Sequence, residues 1–240
     1  MPFRAIGPGS NVAAGERREE VVPIDESTPP PCVGRRFDFL GGDPCLDFVN
    51  TVDWWRSDSP RDRVRCYEDL LDWSEQAGLF GSGAGDALRP AAAKRAADAE
   101  RALRRARTFR ASLYRILAAA AAADPPDAKD LHTITVLARR SATHSRLEIR
   151  GDRFIWSLND TGRCDLEWPV WELARAAVAL LTSEVRRRIR QCADEKCGWF
   201  FIDQSRNHSR RWCDMRSCGN RAKARRSYAR SKRDPQSRRR

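Results

Sequence analysis

The sequence predicts a mainly α domain with a small β-hairpin (α+β), followed by a small module built around four cysteines. Three observations carry that prediction. Apolar residues recur at three- and four-residue spacing through several segments between residues 67 and 185, the period of helices with one buried face. Two short alternating segments flank Gly151-Asp152. Cys192, Cys197, Cys213 and Cys218 form two C-x4-C pairs separated by fifteen residues.

Residues 1–35 combine Gly, Pro, Ser and mixed charge, as in Gly7-Pro8-Gly9-Ser10 and Pro29-Pro30-Pro31, and are expected to be disordered because they have little to bury. The folded domain is expected over 36–185. Asp43-Pro44 before Cys45-Leu46-Asp47-Phe48-Val49 suits a helix start, with Asp as N-cap and Pro at the first position, although a short strand also fits. Tyr67–Gly78 reads as a helix closed by glycine. A long helix is expected from Pro90 to about Ala123, with Leu103, Ala106, Phe109 or Arg110, Leu113, Ile116 or Leu117 and Ala120 on one face. Asp124-Pro125-Pro126-Asp127 breaks it, and Ala128 to about Thr143 forms the next helix. Arg146–Arg150 and Arg153–Leu158 make the hairpin. A last helix from Pro169 places Trp171, Ala174, Val178, Leu181 and Val185 inward and runs on into Arg186–Arg190, where cations suit its C-terminal dipole.

Two close cysteine pairs bridged by a hairpin-length insert meet the needs of a tetrahedral zinc ion, with thiolate bonds of about 2.3 Å. Four sulfurs leave no open position for water, so one structural Zn2+ is expected at Cys192, Cys197, Cys213 and Cys218. The layout is that of a treble-clef-like or ribbon zinc finger over 186–232, with a basic tail over 233–240. A strand through Gly198–Asp203, a polar turn and a return strand at Arg210–Trp212 fit the insert, and a helix follows from about Asn220. So small a unit needs the metal in order to fold, with Trp199, Phe201 and Trp212 packed around it. Met1–Ala14 lacks a secretory h-region and no apolar run reaches the ~18 residues of a membrane span, so a reducing cytoplasm is expected, where clustered cysteines favour metal. Cys32, Cys45, Cys66 and Cys164 are expected to be buried or incidental thiols.

Charge is segregated. From Arg186 to Arg240 there are nineteen Lys or Arg against five Asp or Glu, whereas residues 1–185 hold 26 against 28. A cationic excess confined to the cysteine module marks a polyanion partner. Arg206, Arg210 and Arg211 fall on the insert, and Arg221, Lys223, Arg225 and Arg226 on the helix after the last cysteine. Together they form the candidate nucleic-acid surface, with the helix suited to a DNA major groove. Asn220 is a candidate N-cap. Asp203 or Asp214 could instead engage Arg206 or Arg211. No Gly-rich phosphate loop, nucleophile elbow or paired catalytic carboxylates stand out, and no enzymatic activity is expected.

Cys197-Gly198-Trp199-Phe200-Phe201-Ile202-Asp203, Ser209-Arg210-Arg211-Trp212-Cys213 and Cys218-Gly219-Asn220-Arg221 closely resemble the CGNR zinc finger of bacterial proteins. Upstream, Leu46–Thr51 and Glu68–Trp73 resemble the ABATE domain that usually precedes it. The resemblance implies a stress-related transcription regulator whose C-terminal finger binds DNA, and it carries the zinc ligands directly onto the four cysteines. The expected protein is thus a cytoplasmic, nucleoid-associated DNA-binding regulator. Its N-terminal domain would sense a small-molecule effector or mediate association into a homodimer, and no membrane is involved. RNA is an alternative partner, since backbone electrostatics serve both nucleic acids. An enzyme-like N-terminal domain targeted by the finger is the third possibility, to be revived by a polar pocket around Asp47, Asn50 and Asp53.

Overall fold

The computed structural model describes residues 36–79, 84–158 and 165–233; the expected disorder of 1–35 and the tail beyond residue 233 lie outside this range. Helix α1 (Pro44–Val49) settles the choice between helix and strand. Extended Asp43 caps it, accepting from Cys45 N at 2.8 Å, with Pro44 in the first turn. All of Cys45–Val49 is buried, including Asp47, whose Oδ1 accepts from Gly41 N at 2.7 Å.

Burial raises the Asp47 carboxyl to about 6 against the opposing backbone hydrogen bond from Gly41. The unfolded value is about 3.9. A raised folded value favours the protonated fold, so this contribution is full below about pH 4 and lost as the pH rises through about 6. Asn at position 47 could still accept from Gly41. Asp47→Asn should therefore stabilise the protein at pH 7.5 by about 1–3 kcal/mol and remove this part of the pH dependence. Urea melts between pH 4 and 8 check it; parallel wild-type and variant curves would refute it.

After α1 the chain forms a small ladder, β1 (Val52–Asp53) with β2 (Arg61–Asp62), then α2 (Tyr67–Gln76). The expected helix from Pro90 is two helices, α3 (Ala84–Lys94) and α4 (Ala96–Ala122), broken at Arg95. Pro90 lies inside α3 rather than at a start. It is exposed, so water can satisfy the carbonyl its missing N–H leaves free. The expected face of α4 is buried from Leu103 to Leu117, but Ala120 is exposed. Ala123, in the left-handed region at φ 60°, closes α4. Asp127 then caps α5 (Ala128–Thr143) through Lys129 N.

The hairpin pairs β3 (Ser145–Arg150) with β4 (Arg153–Leu158) around Gly151, whose φ of 64° suits the turn. Helix α6 (Trp168–Thr182) buries Trp171, Ala174, Ala177 and Leu180. The expected inward face is therefore displaced at its end: Val178 and Val185 are exposed. The helix also stops short of the arginines. Ser183 turns extended, a 3-10 turn covers Glu184–Arg188, and Ile189 begins a strand.

That strand, β5 (Ile189–Gln191), pairs antiparallel with β6 (Phe200–Ile202), Ile189 opposite Ile202 and Gln191 opposite Phe200. The expected partner of β6 at Arg210–Trp212 is thus replaced by residues before the first cysteine. The knuckle Cys192–Cys197 becomes the hairpin turn, and the later segment is held by Ala193 N donating to Arg211 O at 2.8 Å. A short π-helical turn (Met215–Gly219) leads into α7 (Asn220–Arg233).

The core lies among α1, α2, α4, α5 and α6, and Phe200 and Ile202 of β6 are part of it. Asn50 fixes this union with both arms of its amide. Nδ2 donates to Phe200 O at 2.8 Å and Oδ1 accepts from Phe200 N at 2.9 Å, as a neighbouring strand would. Trp199 Nε1 donates to Val52 O, Trp55 N to Cys197 O, Ile202 N to Gly41 O and Asp203 N to Arg188 O. Trp55 stacks on Tyr114 at 4.2 Å and covers Gly198, where a Cβ would meet Trp55 Cβ at 2.7 Å.

Candidate metal centre and nucleic-acid surface

Cys192 and Cys197 stand at the two ends of the β5–β6 turn, Cys213 follows the polar loop, and Cys218 lies in the π-helical turn before α7. The four sulfurs lie within 4.8 Å of one another, and all four cysteines are buried. Cys213 Sγ is 3.7 Å from Cys197 Sγ and 3.5 Å from Cys218 Sγ. Four thiolates at about 2.3 Å from one tetrahedral zinc stand about 3.8 Å apart, so the donor set fits that ion. Among the described residues it is the only such cluster of His, Cys, Asp or Glu. Hydrogen bonds from Cys197, Cys213 and Cys218 pull the Cys192 thiol far below its usual range, while the bond to Cys192 pushes Cys197 above it. A dication at the centre of the four sulfurs would hold all of them as thiolates. Trp199 and Phe201 pack directly on the cluster and Trp212 covers its edge, the mini-core expected from the sequence. Cys66 departs from expectation because it is disulfide-bonded; Cys32 and Cys164 lie outside the described residues.

Around the sulfurs sits a shell of donors. Cys213 N donates to Cys192 Sγ at 3.5 Å, and Arg221 Nη2 to Cys218 Sγ at 2.9 Å. Such outer bonds orient thiolates and offset their charge. Arg221 also reaches Asp194 and lies 4.5 Å over the Trp54 ring, and Arg225 bonds Asp194 at 3.0 Å. Trp54 itself holds φ 62°, an outlier for a bulky residue, at the loop where Trp55 and Arg56 bond the knuckle. Arg210 lies 4.2 Å over Phe201 and donates to Trp212 O and Cys213 O. These three arginines therefore have protein partners.

Arg206, Arg211, Lys223 and Arg226 are exposed. Arg211 leans over Trp212 at 5.3 Å, and Arg226 makes one long bond to Ala222 O within its own helix. Asn220 is no N-cap: it begins α7 and its Nδ2 donates back to Arg216 O, while Asp214 caps the preceding turn through Arg216 N and Ser217 N. Asp203, fully buried, holds the polar loop through Ser205 and Arg210 N. Asp194, 1 % exposed, escaped the sequence reading. Its signal was its rarity: the module over 186–232 has four acids, and Asp194, Asp203 and Asp214 all organise backbone or arginine.

A buried four-sulfur site at a hairpin knuckle and a helix start, docked on a helical body, defines a protein carrying a structural zinc finger. The ABATE family, described as "Putative stress-induced transcription regulator", matches residues 42–184, and the CGNR zinc finger matches residues 188–231. The chain belongs to the ABATE family and ends in a CGNR zinc finger holding one structural zinc. No curated protein matches it.

Proposed function

We propose that this chain is a DNA-binding transcription regulator, without catalytic activity, whose zinc finger presents α7 to nucleic acid in a cytoplasmic, nucleoid-associated setting. The observation that carries this is α7 itself, with seven Lys or Arg and no acid between Asn220 and Arg233, standing directly on the metal cluster. Lys223 and Arg226 supply major-groove or phosphate contacts from the helix, and Arg206 and Arg211 add backbone contacts from the loop. Arg221 and Arg225 position the helix on Asp194, and Arg210 holds the loop. The family descriptions support regulation, and no helix among the described residues is long and apolar enough to cross a membrane. The helical body would carry an effector site or an association surface. An active site at Asp47, Asn50 and Asp53 finds little support, since Asn50 is committed to Phe200 and Asp47 to Gly41.

The test is a salt titration of binding to a DNA duplex and to an RNA duplex of matched sequence. Replacing Lys223 and Arg226 together by Ala should weaken DNA binding and flatten the log–log salt dependence by about one unit per lost phosphate contact, with zinc content unchanged. An unaltered slope would place the surface elsewhere, and preference for the RNA duplex would move the protein to RNA.

A further inference from the structure

The arm formed by β3 and β4 exposes a continuous apolar face. Leu147 pairs with Trp156 and Ile149 with Phe154, and side-chain alternation places these four on the same face as Leu158. Leu158 at the base is 2 % exposed and belongs to the core. Outward from it, Trp156 is 49 %, Leu147 62 %, Ile149 68 % and Phe154 72 % exposed. Single exposed apolar side chains are ordinary, whereas four large ones in one patch mark a surface that is covered in use. A two-stranded ribbon is also marginal without something packed on it.

We propose that this face docks on the same face of a second copy of the chain, making a two-fold dimer. Charge favours a like partner. The apolar face has no ionisable group, and on the other face Glu148 pairs with Arg146 at 2.8 Å and Arg150 at 3.6 Å. These charges thus lie off the apolar face, which is complementary to another uncharged apolar face, as an identical arm supplies isologously. Area agrees. At about 150–250 Å2 for a large side chain, the four exposures amount to roughly 500 Å2 per arm, and two arms to roughly 1,000 Å2, the lower bound of a specific interface. Position agrees as well. The arm packs at its base on α5, whereas β6 of the finger packs on α1 and β5 on α4, so arm and finger are seated on different helices of the body. The dimer does not depend on the nucleic-acid reading.

The experiment is sedimentation equilibrium of the full zinc-loaded chain across the micromolar range, for wild type and for Phe154→Glu. The expected result is a reversible wild-type dimer whose dissociation constant rises about a hundredfold or more in the variant. Because a variant could fail to fold, hydrogen exchange of wild type is followed alongside: amides of Leu147–Ile149 and Phe154–Trp156 should exchange more slowly as concentration rises. A wild-type monomer throughout overturns the proposal. So does a dimer that well-folded Phe154→Glu leaves intact, or one whose arm gains no protection. If the monomer's arm gains exchange on deletion of residues 1–35, the chain's own N-terminal segment is the occupant instead; if phospholipid vesicles protect it, a membrane surface is.

Discussion

Removing the metal is expected to lower the melting temperature of the helical body together with the finger. From sequence, replacing Cys213 by Ser should unfold the finger, abolish nucleic-acid binding and leave the helical domain intact. The fold couples them more tightly. Phe200 and Ile202, between the two cysteine pairs, are buried in the main core, and Asn50 binds the Phe200 backbone on both sides. Structural zinc in finger peptides contributes about 10–16 kcal/mol of apparent binding free energy, so the metal-free knuckle does not hold β6 in register. Losing one large core side chain costs about 3–5 kcal/mol. A loss of about 3 kcal/mol to the body corresponds to a fall of about 6–12 °C for a chain of this size. Circular dichroism of the helices during thermal melts, with and without a strong chelator, measures it. Cys213→Ser should match the chelated wild type. A helical transition unmoved by chelation would show that the finger is only an appendage.

The second large effect is expected at Asp62. Arg110 of α4 is 1 % exposed, and its guanidinium is held by both carboxylate oxygens of Asp62 and by Thr51 Oγ1 at 2.7 Å. Asp62 also faces Arg107 at 3.3 Å. Asp62→Ala strands a guanidinium in the core, and breaking such a pair costs about 3–5 kcal/mol. The desolvation penalty falls on the charge left behind, so the cost should mostly vanish when that charge goes too. Asp62→Ala with Arg110→Met should be markedly less destabilised than the two single effects added together. A double-mutant cycle by urea denaturation decides; strict additivity would mean that the pair has no coupling.

Local pattern made much of this architecture legible, and long-range pairing hid the rest. α2, α5 and the arm followed from periodicity and turn residues, because each is specified within its own segment. The zinc site followed from four cysteines whose spacing leaves few alternatives. The break at Arg95 did not, since it separates two helices that continue one apolar pattern. The partner of β6 was missed because a strand after the polar loop and one before Cys192 satisfy the same spacing, and the choice is made by Ile189 and Ile202 sharing the core. Asp194 was invisible as a functional residue for a similar reason, and Asn50, legible as a residue that meets buried backbone, gave no sign of which backbone it meets. Their partners lie 27 and 150 residues away, beyond any local pattern.

The amide of Asn50, standing in for an absent strand, bears on how such fingers can be recombined. A cut near residue 187 looks clean on paper, because it falls between the two matched families. It would remove two plugs from the parent body and strand an asparagine side chain with no backbone to meet. The excised finger would in turn display Phe200 and Ile202 to water. A workable chimera would have to carry the Gly41–Arg56 segment along with the cysteines. The transferable cassette is therefore discontinuous in the chain, and exchange between relatives should succeed only when both pieces travel together.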